Sequence, residues 1–208
     1  MTLELPTDAG LILLPLARSA IAHRLGPTGQ VPAVAVKRAA WLEEPGASFV
    51  TLTSGRLPGG PLRGCIGTLE AHRPLREDVE ANAVAAATRD PRFPPLSRAE
   101  LEDTVVEVSV LSAPTALPVA GEAELLARLR PGVDGVILSD ARHRATFLPQ
   151  VWEQLPDPAD FLAHLRRKAG LPAGGWGRDL TIETYTVTAW QETEAGIPSG
   201  EARGGGTS

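Results

Sequence analysis

ASFVTLT at residues 47–53, SGRLPGG at 54–60 and LRGCIGTL at 62–69 are three consecutive stretches whose reading decides the fold. The first is rich in β-branched and aromatic residues, which suit a pleated surface, and reads as a strand. The second strings Gly55, Pro58, Gly59 and Gly60 together, which marks a loop. The third reads as a second strand, antiparallel to the first. Helical signals follow at once. Pro74 suits a first helical turn, Glu77 and Asp78 suit the N-terminal end of the helix dipole, and Leu75, Val79, Ala83 and Ala86 recur on one face.

The pattern extends in both directions. Upstream, Leu14, Ala17, Ile21 and Leu25 predict a helix from about Ala9 to Leu25, with Pro15 either kinking it or marking its first turn. Gly26-Pro27 stops it, and 31–41 reads as irregular or briefly extended. Downstream, Thr104–Ser112 alternates Val106, Val108 and Val110 with Glu107 and Ser109, predicting a strand. Gly121–Arg130 reads as a short helix, and Gly132–Ser139 as a buried strand turning through 139–142 into a hairpin partner, His143–Leu148. Asp157 and Pro158 cap a helix carrying Phe161, Leu162 and Leu165, which Gly170 ends. Leu180–Trp190 reads as a last strand. Hairpins interleaved with helices predict an α+β fold rather than a doubly wound sheet. The domain is expected over 9–192, with a disordered tail over 193–208 that holds Pro, Ser and a triple-glycine run.

Composition narrows the function classes. The 208 residues hold 20 basic and 25 acidic side chains, a formal charge of −5, which argues against a nucleic-acid or anionic-membrane partner. The single cysteine, Cys65, excludes an intrachain disulfide. The first residues lack a basic leader and Leu11–Leu14 is cut by Pro15, so neither a signal peptide nor a membrane span is expected and the cytoplasm is the expected compartment.

Three segments carry candidate chemistry. In Arg63-Gly64-Cys65-Ile66-Gly67, strand alternation puts Arg63, Cys65 and Gly67 on one face. A cation beside a thiol favours thiolate, so Cys65 becomes a candidate nucleophile with Arg63 as activator. Gly64 and Gly67 leave room for a ligand to approach the backbone. The plainer alternative is a small packed cysteine with glycines that relieve crowding. His72, just past the strand, pairs with the thiol if the turn folds back. In Arg89–Leu96, Asp90 and Arg92 lie in a proline-stiffened loop, either as an anion-binding or docking element or as a structural knot in which Asp90 caps and Phe93 plugs the core. In Thr146–Trp152, Gln150 offers hydrogen bonds to a groove, or the run simply packs its aromatic residues. His23, His72, His143 and His164 show no ligand spacing, so no metal site is expected. Neither a phosphate loop nor a Gly-x-Ser-x-Gly elbow is present.

Taken together, Leu62–Gly67, Asp90–Leu96, Glu107–Leu111, Gly132–Gly135, Phe147–Trp152 and Phe161-Leu162 with Lys168–Leu171 resemble the AMMECR domain family, which includes the bacterial and archaeal AmmeMemoRadiSam system protein A. The segments come in the family's order and cover about residues 9–192. Leu69 stands where the family usually has an aromatic residue, and the stretch past Glu194 falls outside the pattern. The resemblance implies two interleaved α/β two-layer sandwich lobes with largely antiparallel or mixed sheets, and a cleft between them near the Arg63–Gly67 strand. It also implies partners, a Memo-like protein and a radical S-adenosylmethionine enzyme, and so a component of a multi-protein enzymatic system. It supplies no reaction and no cofactor. A non-catalytic binding or adaptor module is the alternative.

Overall fold

The strand pair at 47–69 is present: β1 (Ala47–Ser54) runs antiparallel to β2 (Leu62–Gly67), with Thr51 opposite Cys65. The structure, a computed structural model, describes residues 4–26, 39–171, 180–194 and 197–198. β3 (Thr104–Leu111) lies along the other side of β1, in register from Ala47 opposite Leu111 to Ser54 opposite Thr104. With β8 (Val187–Glu194) and β9 (Ile197–Pro198) the sheet has the order β2-β1-β3-β8-β9, which makes β2 an edge strand.

Two helices pack on one face of this sheet. α1 (Gly10–Arg24) places Leu13, Leu14, Ala17 and Ile21 in the core, and Pro15 lies inside it. Gly26, at φ +85°, ends its last turn in the left-handed region that glycine tolerates best. α2 (Leu75–Thr88) buries the expected stripe Leu75, Val79, Ala83 and Ala86 completely or nearly so. Pro74 precedes it as the N-cap. The alanines bring α2 close enough that a Cβ on Gly64 of β2 would sit 2.2 Å from the Ala86 carbonyl oxygen. That obstacle is backbone, which yields poorly. Gly64→Ala is therefore expected to cost roughly 2–3 kcal/mol, read by thermal denaturation. A neutral substitution would mean that α2 shifts freely over β2.

A second, separate core is built from 112–187. Its sheet has the order β4-β7-β5-β6, from β4 (Thr115–Ala116), β7 (Thr181–Tyr185), β5 (Gly135–Ser139) and β6 (Arg144–Phe147), with every neighbouring pair antiparallel. α4 (Glu122–Arg128) and α5 (Pro158–Lys168) supply Leu125, Phe161, Leu162 and Leu165 to its core. The Asp157 carboxylate caps α5 by accepting from the N–H groups of Ala159 and Asp160.

The first unit thus takes the chain up to Leu111 and again from Thr188, with the second inserted between. This is the expected α+β fold of two interleaved layered lobes. Three local expectations change. Leu180–Trp190 is not one strand: the chain finishes β7 at Tyr185 in one sheet and begins β8 at Val187 in the other. The stretch from 193 does not begin as a disordered tail, because β8 continues to Glu194 and β9 pairs back on it. Most of 31–41 and the rest of the tail lie outside the described residues. A short helix, α3 (Arg98–Glu102), was not anticipated, although Ser97 and Glu100 form a full capping box at its start.

Candidate functional site

On β2, Gly64 faces α2, so alternation turns Cys65 to the opposite face of the sheet. Cys65 is neither a core residue nor fully open: it is partly exposed. Its sulfur lies 3.4 Å from the Thr51 hydroxyl oxygen, across the strand pair. Thr51 was missed in the sequence, although the hairpin register places it opposite the cysteine.

The backbone of Cys65 is held from outside the sheet. As an edge-strand residue it presents an N–H and a C=O without a neighbouring strand. The Asp90 carboxylate accepts the Cys65 N–H at 2.8 Å, and the Arg92 Nη2 donates to the Cys65 carbonyl oxygen at 3.4 Å. Asp90 and Arg92 are locked to each other, with Nε and Nη2 of Arg92 at 2.9 and 2.7 Å from the two carboxylate oxygens. Asp90 also accepts the Arg92 backbone N–H at 3.1 Å, which closes the loop on itself. A buried carboxylate and a half-exposed guanidinium thereby stand in for the missing strand at this point of the edge.

The electrostatics follow from that pair. The Asp90 carboxyl is held far below the usual carboxylate range, chiefly by its hydrogen bond from the Arg92 side chain, against opposing desolvation. The Arg92 pKa is raised, first by its hydrogen bond to Asp90 and with a smaller attraction from Cys65. The guanidinium held against Cys65 is thus that of Arg92, through the cysteine's carbonyl oxygen, and not that of Arg63 as the alternation suggested.

Arg63 is drawn elsewhere. Leu52 pairs with Gly64 but Thr53 pairs with Leu62, so Arg63 is the extra residue of an irregularity and leaves the regular alternation. Its Nε and Nη2 both donate to one Glu100 oxygen at 3.1 Å. The Glu100 carboxyl is lowered mainly by the Ser97 backbone N–H, then by the Ser97 hydroxyl, with Arg63 adding less. Phe93 does not plug the core. Its half-buried ring has Arg92 and Arg63 guanidinium carbons 5.5 and 6.0 Å from its centroid.

The remaining candidates separate from this cluster. His72 is exposed and its Nδ1 contacts the Glu70 carbonyl oxygen at 2.9 Å, so it is not turned back to the thiol. Gly67 accommodates the Phe49 ring opposite it, 2.2 Å from where a Cβ would stand, and so leaves no opening for a ligand. Gln150 belongs to the second unit, exposed on a 3₁₀ turn (Pro149–Glu153) whose Trp152 stacks on Phe161 with centroids 3.7 Å apart. There the aromatic residues do pack inward. Among the described residues no three His, Cys, Asp or Glu side chains gather as a metal ion would require.

Beneath the site, sequence reasoning missed a buried polar knot. The Asp78 carboxylate accepts from the Ser48 N–H and hydroxyl at 2.8 and 2.6 Å, and from Thr68, Arg73 and Asn82 at 2.7–2.9 Å. It ties α2 to β1 and to the turn that follows β2.

The family model for AMMECR1 matches residues 14–190. The chain belongs to the AMMECR1 family. Protein MJ0810 of Methanocaldococcus jannaschii is 40% identical over 146 residues, 69% of this chain and 71% of that protein. Protein MK0488 of Methanopyrus kandleri is 36% identical over 203 residues, 96% of this chain and 95% of that one. In three dimensions the AMMECR1 fold described here matches the crystal structure of uncharacterized protein PH0010 from Pyrococcus horikoshii, with a TM-score of 0.73 and 33% identity, over 93% of this chain and 96% of that one. No helix among the described residues is long and apolar enough to cross a membrane.

Proposed function

We propose that this AMMECR1-family chain is a binding subunit of a multi-protein enzymatic system, working beside a Memo-like protein and a radical S-adenosylmethionine enzyme. One observation carries the choice of binding over bond-making. The groups that would activate Cys65 are committed to one another: Arg63 to Glu100, Asp90 to Arg92 and the Cys65 amide, and His72 to a backbone carbonyl. What remains outward is the half-exposed Arg92 beside Phe93 and the thiol. A guanidinium stacked on an aromatic ring is a recognition element of the kind that dominates protein interfaces.

Calorimetric titration of the full chain against the two purified partner proteins tests this. At least one is expected to bind, and Arg92→Ala is expected to weaken binding roughly tenfold. Absence of heat with both proteins would overturn the subunit reading. A second reading, in which Cys65 acts as a nucleophile, draws on its partial exposure and on the Arg92 guanidinium held at its carbonyl oxygen.

A further inference from the structure

The helical layer of the first unit has an outer face as well as the one it packs on the sheet. That face carries a groove of about 870 Å³ between α1 and α2. On α1 it is lined by Leu16, Ala20 and Arg24, successive positions four residues apart; on α2 it follows steps of three and four from Arg76 to Val84. Each helix therefore gives one continuous stripe, roughly 12 Å long at 1.5 Å per residue. Leu16, Ala20 and Val84 make its apolar floor.

Charge distinguishes the rim. Four arginines border the floor in a chain whose formal charge is −5. Arg73 answers the buried Asp78, and Arg76 answers Glu43. Arg24 and Arg89 are exposed and have no ion-pair partner among the described residues. Glu77 and Glu80 line the same groove, and burial raises the Glu80 pKa, with Arg76 opposing and Glu77 adding to the shift.

These features select the occupant. A nucleic-acid backbone carries a charge at every step and would have to pass both glutamates. A peptide helix can set carboxylates against Arg24 and Arg89 alone, and lay apolar residues over the floor. We infer that the α1–α2 groove docks an acidic amphipathic helical segment of a partner protein. The inference rests on the reading of this chain as a binding subunit, but its groove is lined by none of the residues that surround Cys65.

A photo-crosslinking amino acid at Ala81, on the exposed lip of the groove, tests it in the full chain expressed in its native cells. Adducts are to be mapped by mass spectrometry, with the same probe at exposed Leu57 as background. The expected adduct lies in one acidic, amphipathic segment of another protein. Arg24→Glu with Arg89→Glu should cut its yield roughly tenfold, whereas Glu77→Lys should not reduce it. Both arginines are exposed, so an unchanged melting curve would exclude unfolding as the cause. Adducts no stronger than at Leu57, or adducts to nucleic acid, to a second copy or to this chain itself, would overturn the groove proposal. So would an acidic-segment adduct indifferent to the double charge reversal. The two proposals fail separately. Calorimetry without heat overturns the subunit reading even where a charge-sensitive adduct upholds the groove, and normal calorimetry with a charge-insensitive adduct removes only the groove.

Discussion

Asp78→Ala is expected to lower the melting temperature by about 10 °C, the largest stability effect of any substitution considered. The carboxylate is fully buried and answers the Ser48 N–H, the Ser48 hydroxyl and the Asn82 amide, all of them buried. Removing it strands those donors, at about 1–3 kcal/mol for each that finds no replacement. Arg73 adds less, because its partly exposed guanidinium turns to water. The sum is about 3–5 kcal/mol, comparable to losing one partner of a buried ion pair. At 2–4 °C per kcal/mol for a chain of this size, that gives the stated shift. Asp78→Asn should recover much of it, since the Ser48 N–H, the Ser48 hydroxyl and the Asn82 amide converge on one carboxylate oxygen, whose place the asparagine oxygen can take, while the NH2 faces the partly exposed Arg73. Calorimetric melting checks both variants. A shift below about 3 °C would mean that water enters and replaces the carboxylate.

What the sequence disclosed, and what it withheld, divides along the range of the interactions. β1, β2, the buried stripe of α2 and the capped α5 were legible because their signals are local: alternation, steps of three and four, and an Asp-Pro cap. Asp78 was legible only as a helix-dipole residue, since its chief partner, Ser48, lies 30 positions away on β1. Leu180–Trp190 read as one strand because both halves favour extended backbone, and local propensity carries no information on which sheet receives them. Perfect alternation puts Arg63 on the face of Cys65. One extra residue in β2 breaks that alternation and sends the side chain to Glu100. The capping box at Ser97–Glu100, by contrast, is a local signal that the sequence carries in full.

Asp90→Ala is expected to release the candidate site while leaving the fold standing, and the reaction of Cys65 with a small alkylating reagent reports it. In the native chain Cys65 is partly exposed, so it should react without unfolding, at a rate limited by the rigidity of its edge strand. Without Asp90, the Cys65 N–H on the sheet edge loses its acceptor and Arg92 loses the partner that orients it. Two charge-assisted interactions disappear, so about 1.5–3 kcal/mol of stability should go. Alkylation should accelerate roughly tenfold, as one such loss of local free energy implies. Acid should mimic the substitution. The Asp90 pKa is depressed in the folded state, so its contribution to stability is complete above the ordinary carboxylate pKa near 3.9 and is lost as the pH falls towards the folded value. Native Cys65 should therefore keep its protection at neutral pH, and the native and Asp90→Ala stabilities should converge only in strong acid. The same experiment weighs the nucleophile reading. If Arg92 activates the thiol, Arg92→Ala should slow native alkylation at neutral pH even though it loosens the strand edge. If Arg92→Ala instead speeds it as Asp90→Ala does, Arg92 orients the strand edge for a partner, and the binding reading stands.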